Sequence, residues 1–471
     1  MKRIIFLVFG FIFLSRILLL SNSPAFFDSP EYIRLFNNPS LLEALRNVHY
    51  PIHPLYIIIY WIFNQLPIST TLYKAEFLNG FIGLGCSFII YLIAKEFLNE
   101  KRALTLTVFA SFTPYFWLSQ INVQNEPLSE FCVLLSFYFL IIFSKLKKRV
   151  YFIVSSIFFG LSLLVTTANL LYLILIFGWL IIRYKILASF KLMAIYLIPV
   201  CLSVILYTPI LILRHIPLVN ILDVLSGSIS LLAKLQIEGY LFFLRGIRNL
   251  IVVYFNYLTI PLGIIIGILA LKNINFKRPI LLILFWFITF FLFSNVWQVW
   301  MFGRLSIILT LIPLYYLVKI RNYIILYTLF ILLIISSSFL VLPYHFQKIP
   351  NLLEKDFLLT KNDNSLLIVS NFEEPFLCDS FNCLILNSPI TNLKKINSQI
   401  NQSLSSGKIV YITSQAISAP YNLYDGLKYQ ILSERKSYPQ TDGQKLTKQY
   451  RLNISKYWSD LNLKIYTLEF L

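Results

Sequence analysis

Apolar positions along this chain come in repeated blocks, each about 17–22 residues long, the length that crosses a bilayer as a helix. The first block runs from Ile4 to Leu20. Ten more follow near 72–94, 103–120, 127–144, 150–166, 168–182, 191–211, 250–271, 279–294, 304–319 and 323–342. A further apolar stretch, Pro54 to Leu66, is too short to span and is expected to lie along the membrane interface. The pattern therefore predicts an α-helical polytopic membrane protein with about eleven transmembrane helices.

After Leu342 the pattern changes. Leu366–Val369, Lys408–Thr413 and Leu463–Phe470 read as strands, and Leu393–Leu404 reads as a helix. Strands alternating with helices predict a small α/β domain. The expected division is a membrane domain at 1–342 and an α/β domain at 343–471.

Composition agrees with the membrane class. The chain of 471 residues is 58% apolar and 13% charged, against roughly 25% charged in soluble domains. Its mean hydropathy is +0.74. The net charge of +19 does not indicate nucleic-acid binding, because the basic residues sit in short clusters between apolar blocks. Residues 1–342 carry +16 and residues 343–471 carry +3, which marks the same boundary.

The basic clusters fall at alternate connections: Lys2–Arg3, Lys95–Arg102, Lys145–Arg149, Arg183–Lys185, Lys272–Arg278 and Lys319–Arg321. The positive-inside rule puts that side in the cytoplasm. Eleven crossings then place the amino terminus in the cytoplasm and the α/β domain outside. The first block is longer than the roughly 7–15 residues of a signal-peptide core and has no small-x-small site after it, so an uncleaved first helix is expected. With no retention signal or transit peptide, a bacterial inner (plasma) membrane is the expected location.

Cys86, Cys132 and Cys201 lie in apolar blocks as small hydrophobes. Cys378 and Cys383 lie in the outward domain, where a local disulfide and two free thiols are both open readings. The four histidines, His49, His53, His215 and His345, have no metal-ligand spacing.

The first outward loop, residues 21–71, holds the most informative chemistry. It reads Phe27-Asp28-Ser29-Pro30-Glu31-Tyr32 and later His53-Pro54-Leu55-Tyr56. Asp28 and Glu31 form a capping box, with Pro30 tolerated in the first turn. Capping and catalysis are compatible, since an N-cap carboxylate is held rigidly. Glu126, at the start of the fourth block, is either a second active-site acid or an anion favoured by the helix dipole. Arg245, Arg248 and Arg304 are outward cations that run against the positive-inside rule. Each is a candidate phosphate ligand or a headgroup contact. Arg214 and His215 are weaker candidates. Trp297 and Trp300 read as an interfacial belt or as a stacking surface. His53 either shapes the pocket or supplies polarity at a helix start.

Taken in order, several short elements resemble the C-type (GT-C) integral-membrane glycosyltransferases, such as protein O-mannosyltransferases and lipid A aminoarabinose transferases. They are the first helix ending at Arg16, the Asp28–Tyr32 loop, His53-Pro54-Leu55-Tyr56, Asn125-Glu126-Pro127-Leu128, Gly160–Asn169 and Gly303-Arg304-Leu305 with Pro313. Thr166-Thr167 stands where the family often has Arg before Pro, and Leu305 replaces an aromatic. The resemblance covers roughly residues 1–320. It implies a transferase taking a sugar from a polyprenyl-phosphate donor to a glycan, lipid or protein acceptor at the outer membrane face. It also implies Asp28 as the family's catalytic carboxylate; the adjacent second acid of the family is here Glu31, three positions on. Some members use a divalent ion, but no compact carboxylate cluster is visible, so no metal or other cofactor is expected. A lipid-linked glycan flippase would need ionisable groups near mid-helix. A non-enzymatic scaffold would not need the outward acidic and arginine positions.

Overall fold

The computed structural model describes residues 2–21, 29–47, 53–213, 260–273, 280–296, 308–346, 350–361, 365–370, 373–378, 380–386, 393–417, 441–459 and 463–471, with scattered positions between 243 and 254. The chain divides into two compact units. One comprises Met1–Leu20 with Tyr32–Leu342; the other comprises Ser21–Glu31 with Pro343–Leu471.

The first unit is helical. In chain order its described helices are α1 (Lys2–Ile17), α2 (Ser29–Phe36, which begins in the second unit), α3 (Leu41–Asn47), α4 (Pro54–Asn64), α5 (Thr71–Lys95), α6 (Glu100–Ser111), α7 (Pro114–Gln120), α8 (Glu126–Leu146) and α9 (Arg149–Val165). A 3-10 turn (Thr167–Leu171) leads into α10 (Tyr172–Arg183), α11 (Ile186–Ile205) and α12 (Thr208–Leu213). Then come α13 (Ile260–Asn273), α14 (Ile280–Val296), α15 (Ile308–Leu317) and α16 (Tyr323–His345). Among the described residues four helical stretches are long and apolar enough to cross a membrane: Thr71–Lys95, Glu126–Leu146, Ile186–Leu213 and Tyr323–His345.

Local chemistry sets the boundaries. Thr70 caps α5 by accepting from the Tyr73 amide, and Asn99 caps α6 by accepting from the Arg102 amide. Proline opens α4 and α7, where its missing N–H costs nothing. The apolar block at 103–120, expected as one helix, is broken after Ser111, because Pro114 cannot continue it. Lys147 closes α8 in the left-handed region, with φ 58°, and the chain turns directly into α9.

Glycines set close approaches between helices. A Cβ on Gly160 of α9 would meet Ser203 Oγ of α11, and one on Gly178 of α10 would meet the Phe285 ring of α14. In a bilayer, where apolar burial gives little drive between helices, such close packing is what joins them. Ser136, Ser155 and Tyr196 add a buried hydroxyl network joining α8, α9 and α11, with Ser136 Oγ 2.7 Å from Tyr196 Oη.

The short helices α2–α4 form a layer of their own. Tyr32, Leu35, Phe36, Tyr56, Ile57 and Tyr60 are buried in one cluster with Ala75 of α5, Val123, Leu128 of α8, Val165 of α9 and Tyr207. Its aromatic rings pack closely, Tyr32 to Tyr56 at 4.8 Å and Tyr56 to Tyr60 at 4.2 Å between centroids. Three polar contacts fasten the layer. Trp61 Nε1 donates to Asn38 O at 2.8 Å, Asn64 Nδ2 to Phe36 O at 2.8 Å, and Lys74 Nζ to Asn64 O and Leu66 O. The stretch expected to lie along the interface is thus packed, on its Tyr56–Tyr60 face, against the ends of the longer helices.

The second unit holds a five-stranded sheet in the order β2-β1-β3-β5-β4. The strands are β1 (Leu366–Ser370), β2 (Asn382–Leu386), β3 (Val410–Thr413), β4 (Tyr450–Trp458) and β5 (Leu463–Phe470). Helices α17 (Pro350–Leu359), α18 (Glu374–Leu377), α19 (Leu393–Ser405), α20 (Ser414–Ile417) and α21 (Thr441–Thr447) connect and cover them. β1 is parallel to β2 and β3; β5 is antiparallel to β3 and β4. Central β1 is buried throughout, and its alternate residues feed two apolar layers. Leu366 and Ile368 face the Ile396–Ile400 side of α19; Leu367 and Val369 face Leu358 of α17 and Leu377. Cys378 and Cys383 form a disulfide with a Cα–Cα distance of 5.5 Å, tying the end of α18 to β2.

Candidate functional site

Three helix ends converge in the first unit. They are the start of α4 at His53, the start of α8 at Asn125 and the end of α9 at Val165. His53 is the N-cap residue of α4 and is buried. Its Nδ1 lies 2.5 Å from Val165 O. A carbonyl can only accept, so Nδ1 is the protonated nitrogen at this contact. Asn125 Nδ2 lies 3.1 Å from His53 Nδ1 and donates to Val165 O at 3.3 Å.

The other exposed carbonyls at the end of α9 are also engaged. Leu163 O accepts from Tyr207 Oη at 2.6 Å, and Ser162 O accepts from the Thr166 amide and from Asn169 Nδ2. Asn169 Nδ2 also donates to Ser129 Oγ of α8 at 2.8 Å. Helix ends leave their last carbonyls without intrahelical donors. Inside a membrane protein no lipid group can supply one, so side chains must. The polar residues at 53, 125, 169 and 207 do this here.

The connection between α7 and α8, residues 121–125, is held from the opposite side. Asn79 of α5 donates Nδ2 to Asn122 O at 2.5 Å and to Gln124 O at 2.9 Å, and Tyr60 Oη of α4 donates to Asn79 Oδ1. Asn79 stands eight residues into α5, about 12 Å along its axis at 1.5 Å per residue. Cys86, seven residues deeper in α5, donates Sγ to Pro127 O. Glu126 therefore opens α8 well down the length of α5, and not level with the start of α5. It is half-buried, and Glu130, one turn on, is buried.

Arg16 braces the same region from α1. It is fully buried. Its Nε donates to Gln120 Oε1 at 2.8 Å, its Nη1 to Ser15 Oγ at 2.8 Å, and its Nη2 to Ser111 O, the last residue of α6. The guanidinium lies 5.1 Å from the Phe112 ring centroid and 5.7 Å from that of Trp117. No carboxylate among the described residues pairs with it. Gly83 of α5 makes the room: a Cβ there would meet the Gln120 side chain at 2.3 Å.

Of the residues singled out in the sequence, the structure brings His53 together with the start of α8, where Glu126 follows Asn125. Glu31 is the third residue of α2 and belongs to the second unit. Arg248 is half-buried in a short helical fragment. Asp28, His49, Arg214, His215, Arg245, Trp297, Trp300 and Arg304 lie outside the described residues. Helix α2 begins at Ser29. Among the described residues no group of three or more His, Cys, Asp or Glu side chains is placed to hold a metal ion.

Sequence reading missed Arg16 as a buried brace, and it missed Asn79, Gln120, Gln124, Glu130 and Asn169. A signal was there for Asn79, an amide in the middle of an apolar run, where a polar side chain has to find a partner.

Comparison with known proteins places these features in a family context. Residues 51–213, which contain the converged helix ends, match the family described as dolichyl-phosphate-mannose-protein mannosyltransferase. No curated protein matches the chain by sequence. Among solved structures the chain is similar to ArnT from Cupriavidus metallidurans bound to undecaprenyl phosphate. The identity is 10% and the TM-score 0.51, covering 99% of this chain and 97% of that one. It is also similar to the archaeal oligosaccharyltransferase AglB from Archaeoglobus fulgidus, in complex with an inhibitory peptide and a dolichol-phosphate. There the identity is 12% and the TM-score 0.53, with 99% and 74% of the two chains covered. The chain thus has the fold of these two integral-membrane proteins, and its segment 51–213 is similar to the mannosyltransferase family.

Proposed function

We propose that this protein is an inverting glycosyltransferase that moves a sugar from a polyprenyl-phosphate carrier to an acceptor at the outer face of the membrane. The observation that carries the reading is the coincidence of the family match with the converged helix ends at His53, Asn125 and Val165. The segment 51–213 holds His53, Asn79, Asn125, Glu126 and Asn169, the polar residues at and around these ends. Two structural relatives hold lipid phosphates of this kind, undecaprenyl phosphate in one and dolichol-phosphate in the other.

In the reaction proposed, an acceptor nucleophile attacks the anomeric carbon of the sugar. The bond from that carbon to the phosphate oxygen breaks, and the polyprenyl phosphate leaves with the electron pair. Asp28 takes the acceptor's proton as general base. Glu126 is the second carboxylate, orienting the acceptor. Arg304, with Arg245 and Arg248, binds the phosphate and stabilises the charge that builds on it as it leaves. His53, fixed by Val165 O, shapes the pocket wall. No metal is part of the reading. The α/β unit is placed outside the cytoplasm, together with Asp28 and Glu126, in a bacterial inner membrane.

The test has two arms. Wild-type protein in nanodiscs is given radiolabelled polyprenyl-phosphate sugars and a membrane extract as acceptor source; sugar should leave the lipid. A topology reporter fused after Leu471 should be active only outside the cytoplasm. A reporter active only in the cytoplasm removes the outward assignment of the site.

A further inference from the structure

Two glutamates in the second unit have no part in the proposed reaction, yet both are fully buried. Glu354 lies on α17 and Glu373 just before α18. Their carboxyls sit side by side at the end of β3: Thr413 binds Glu373, and Gln415, two residues on, binds Glu354. Glu373 Oε2 accepts from Ser370 N at 2.8 Å, Ser370 Oγ at 2.9 Å and Thr413 Oγ1 at 2.8 Å. Glu354 Oε2 accepts from Gln415 Nε2 at 3.1 Å. Among the described residues no donor reaches either Oε1.

The place in the fold matters. Ser370 ends β1 and Thr413 ends β3, adjacent parallel strands. The chain leaves β1 toward β2 on one side, while β3 lies on the other. This is the switch point of an open α/β sheet, where the carboxyl ends of strands leave a crevice. Here the chain's own Glu354 fills it.

Two carboxylates in contact and out of water cannot both stay ionised. Glu373 has three donors aimed at one oxygen and is the group stabilised as the anion; Glu354 has one. Burial first, and then the neighbouring Glu373, raise Glu354 well above the usual carboxylic-acid value. Burial also raises Glu373, while its hydrogen bonds oppose the rise. Other charged or titratable groups on the surrounding elements are Lys355 and Asp356 on α17, Glu374 on α18, Tyr411 on β3, Lys464 on β5 and Lys445 on α21. Among the described residues, the charged group that acts on Glu354 is Glu373.

We propose that the Glu354–Glu373 pair is a one-proton latch that fastens α17 over the switch point of the sheet and releases it when the shared proton is lost. The sign follows from linkage. Glu354 binds its proton more tightly when folded than when unfolded. The latch is therefore fully closed at low pH and loosens as pH rises through the folded-state value of Glu354. α17 is the first helix after the long apolar helix α16, so the device sits on the stretch of chain that leads from the helical region into the sheet.

Hydrogen–deuterium exchange of the full-length protein in nanodiscs reads the latch directly. Peptides covering 350–361 and 410–417 would be followed from about pH 6 to about pH 9, with rates divided by their intrinsic values. Wild type should lose protection in these peptides by up to about tenfold per pH unit above the transition, the slope of a single proton. Glu354→Gln presents an amide donor to Glu373 and keeps an oxygen for Gln415, so its protection should not depend on pH. Difference infrared spectra should show a protonated-acid carbonyl band in wild type near neutral pH that Glu354→Gln lacks. A flat wild-type profile, an equal slope in the variant, or the absence of that band overturns the proposal. The wild-type profile and the spectrum decide the matter even where the variant does not fold.

Discussion

Replacing Arg16 by Lys lowers the thermal midpoint of the purified protein markedly, although the charge is kept. Arg16 reaches Gln120 Oε1, Ser15 Oγ and Ser111 O from three corners of a planar fork. An ammonium on a flexible stem cannot span those directions. At least two charge-assisted hydrogen bonds are lost, each worth about 1.5–3 kcal/mol, while the cost of burying a cation remains. The expected loss is therefore about 3 kcal/mol or more. Arg16→Met is the informative contrast. It also leaves acceptors at Gln120 and Ser111 unfilled, but it removes the buried charge, so it should cost less than Arg16→Lys. Gly83→Ala should shift the midpoint in the same direction by a smaller amount, because its Cβ displaces the Gln120 side chain from Arg16. If Arg16→Lys were as stable as wild type, the brace between α1 and the α6–α7 break would have no energetic weight.

Glu126→Gln is expected to reduce sugar transfer by about 10²–10⁴-fold, the range for a carboxylate acting directly on a proton or nucleophile. The protein should stay folded, because neighbours hold the backbone at this helix start. Asn79 fixes the preceding loop, and Asn125 is fixed by Val165 O. A carboxylate serving only the helix dipole is worth about 0.3–1 kcal/mol. Its removal would lower the thermal midpoint slightly and leave turnover within a few-fold. The two roles thus separate on the ratio of activity loss to stability loss.

The membrane class and the likeness to the mannosyltransferase family were legible in the sequence for a physical reason. A bilayer imposes a fixed length on every crossing, and that length shows in one dimension. Short ordered elements such as His53-Pro54-Leu55-Tyr56 and Asn125-Glu126-Pro127-Leu128 carried the family resemblance. The strands at 366–369, 408–413 and 463–470 were readable as continuous apolar runs. β2 and β4 were not. β2 is only five residues and opens on Asn382 and the disulfide-bonded Cys383, and β4, Tyr450–Trp458, interleaves Arg451, Asn453, Ser455 and Lys456 with its apolar residues because it lies at the sheet edge.

The position of Glu126 well down α5 was also illegible. It depends on Asn79 meeting a loop some 43 residues away and on Arg16 meeting Gln120 across 104 residues. Neither contact has a local signature. The Glu354–Glu373 pair, joined only through sheet topology, could not be read either.

Turnover by wild type and Asp28→Asn, measured side by side in membranes with polyprenyl-phosphate sugar donors, bears most directly on the transferase reading. Asn is as good an N-cap residue as Asp but cannot take a proton. Sugar release should fall by about 10²–10⁴-fold with the variant folded and inserted at wild-type levels. A variant that transfers sugar as fast as wild type would contradict Asp28 as the base and move that role to another carboxylate.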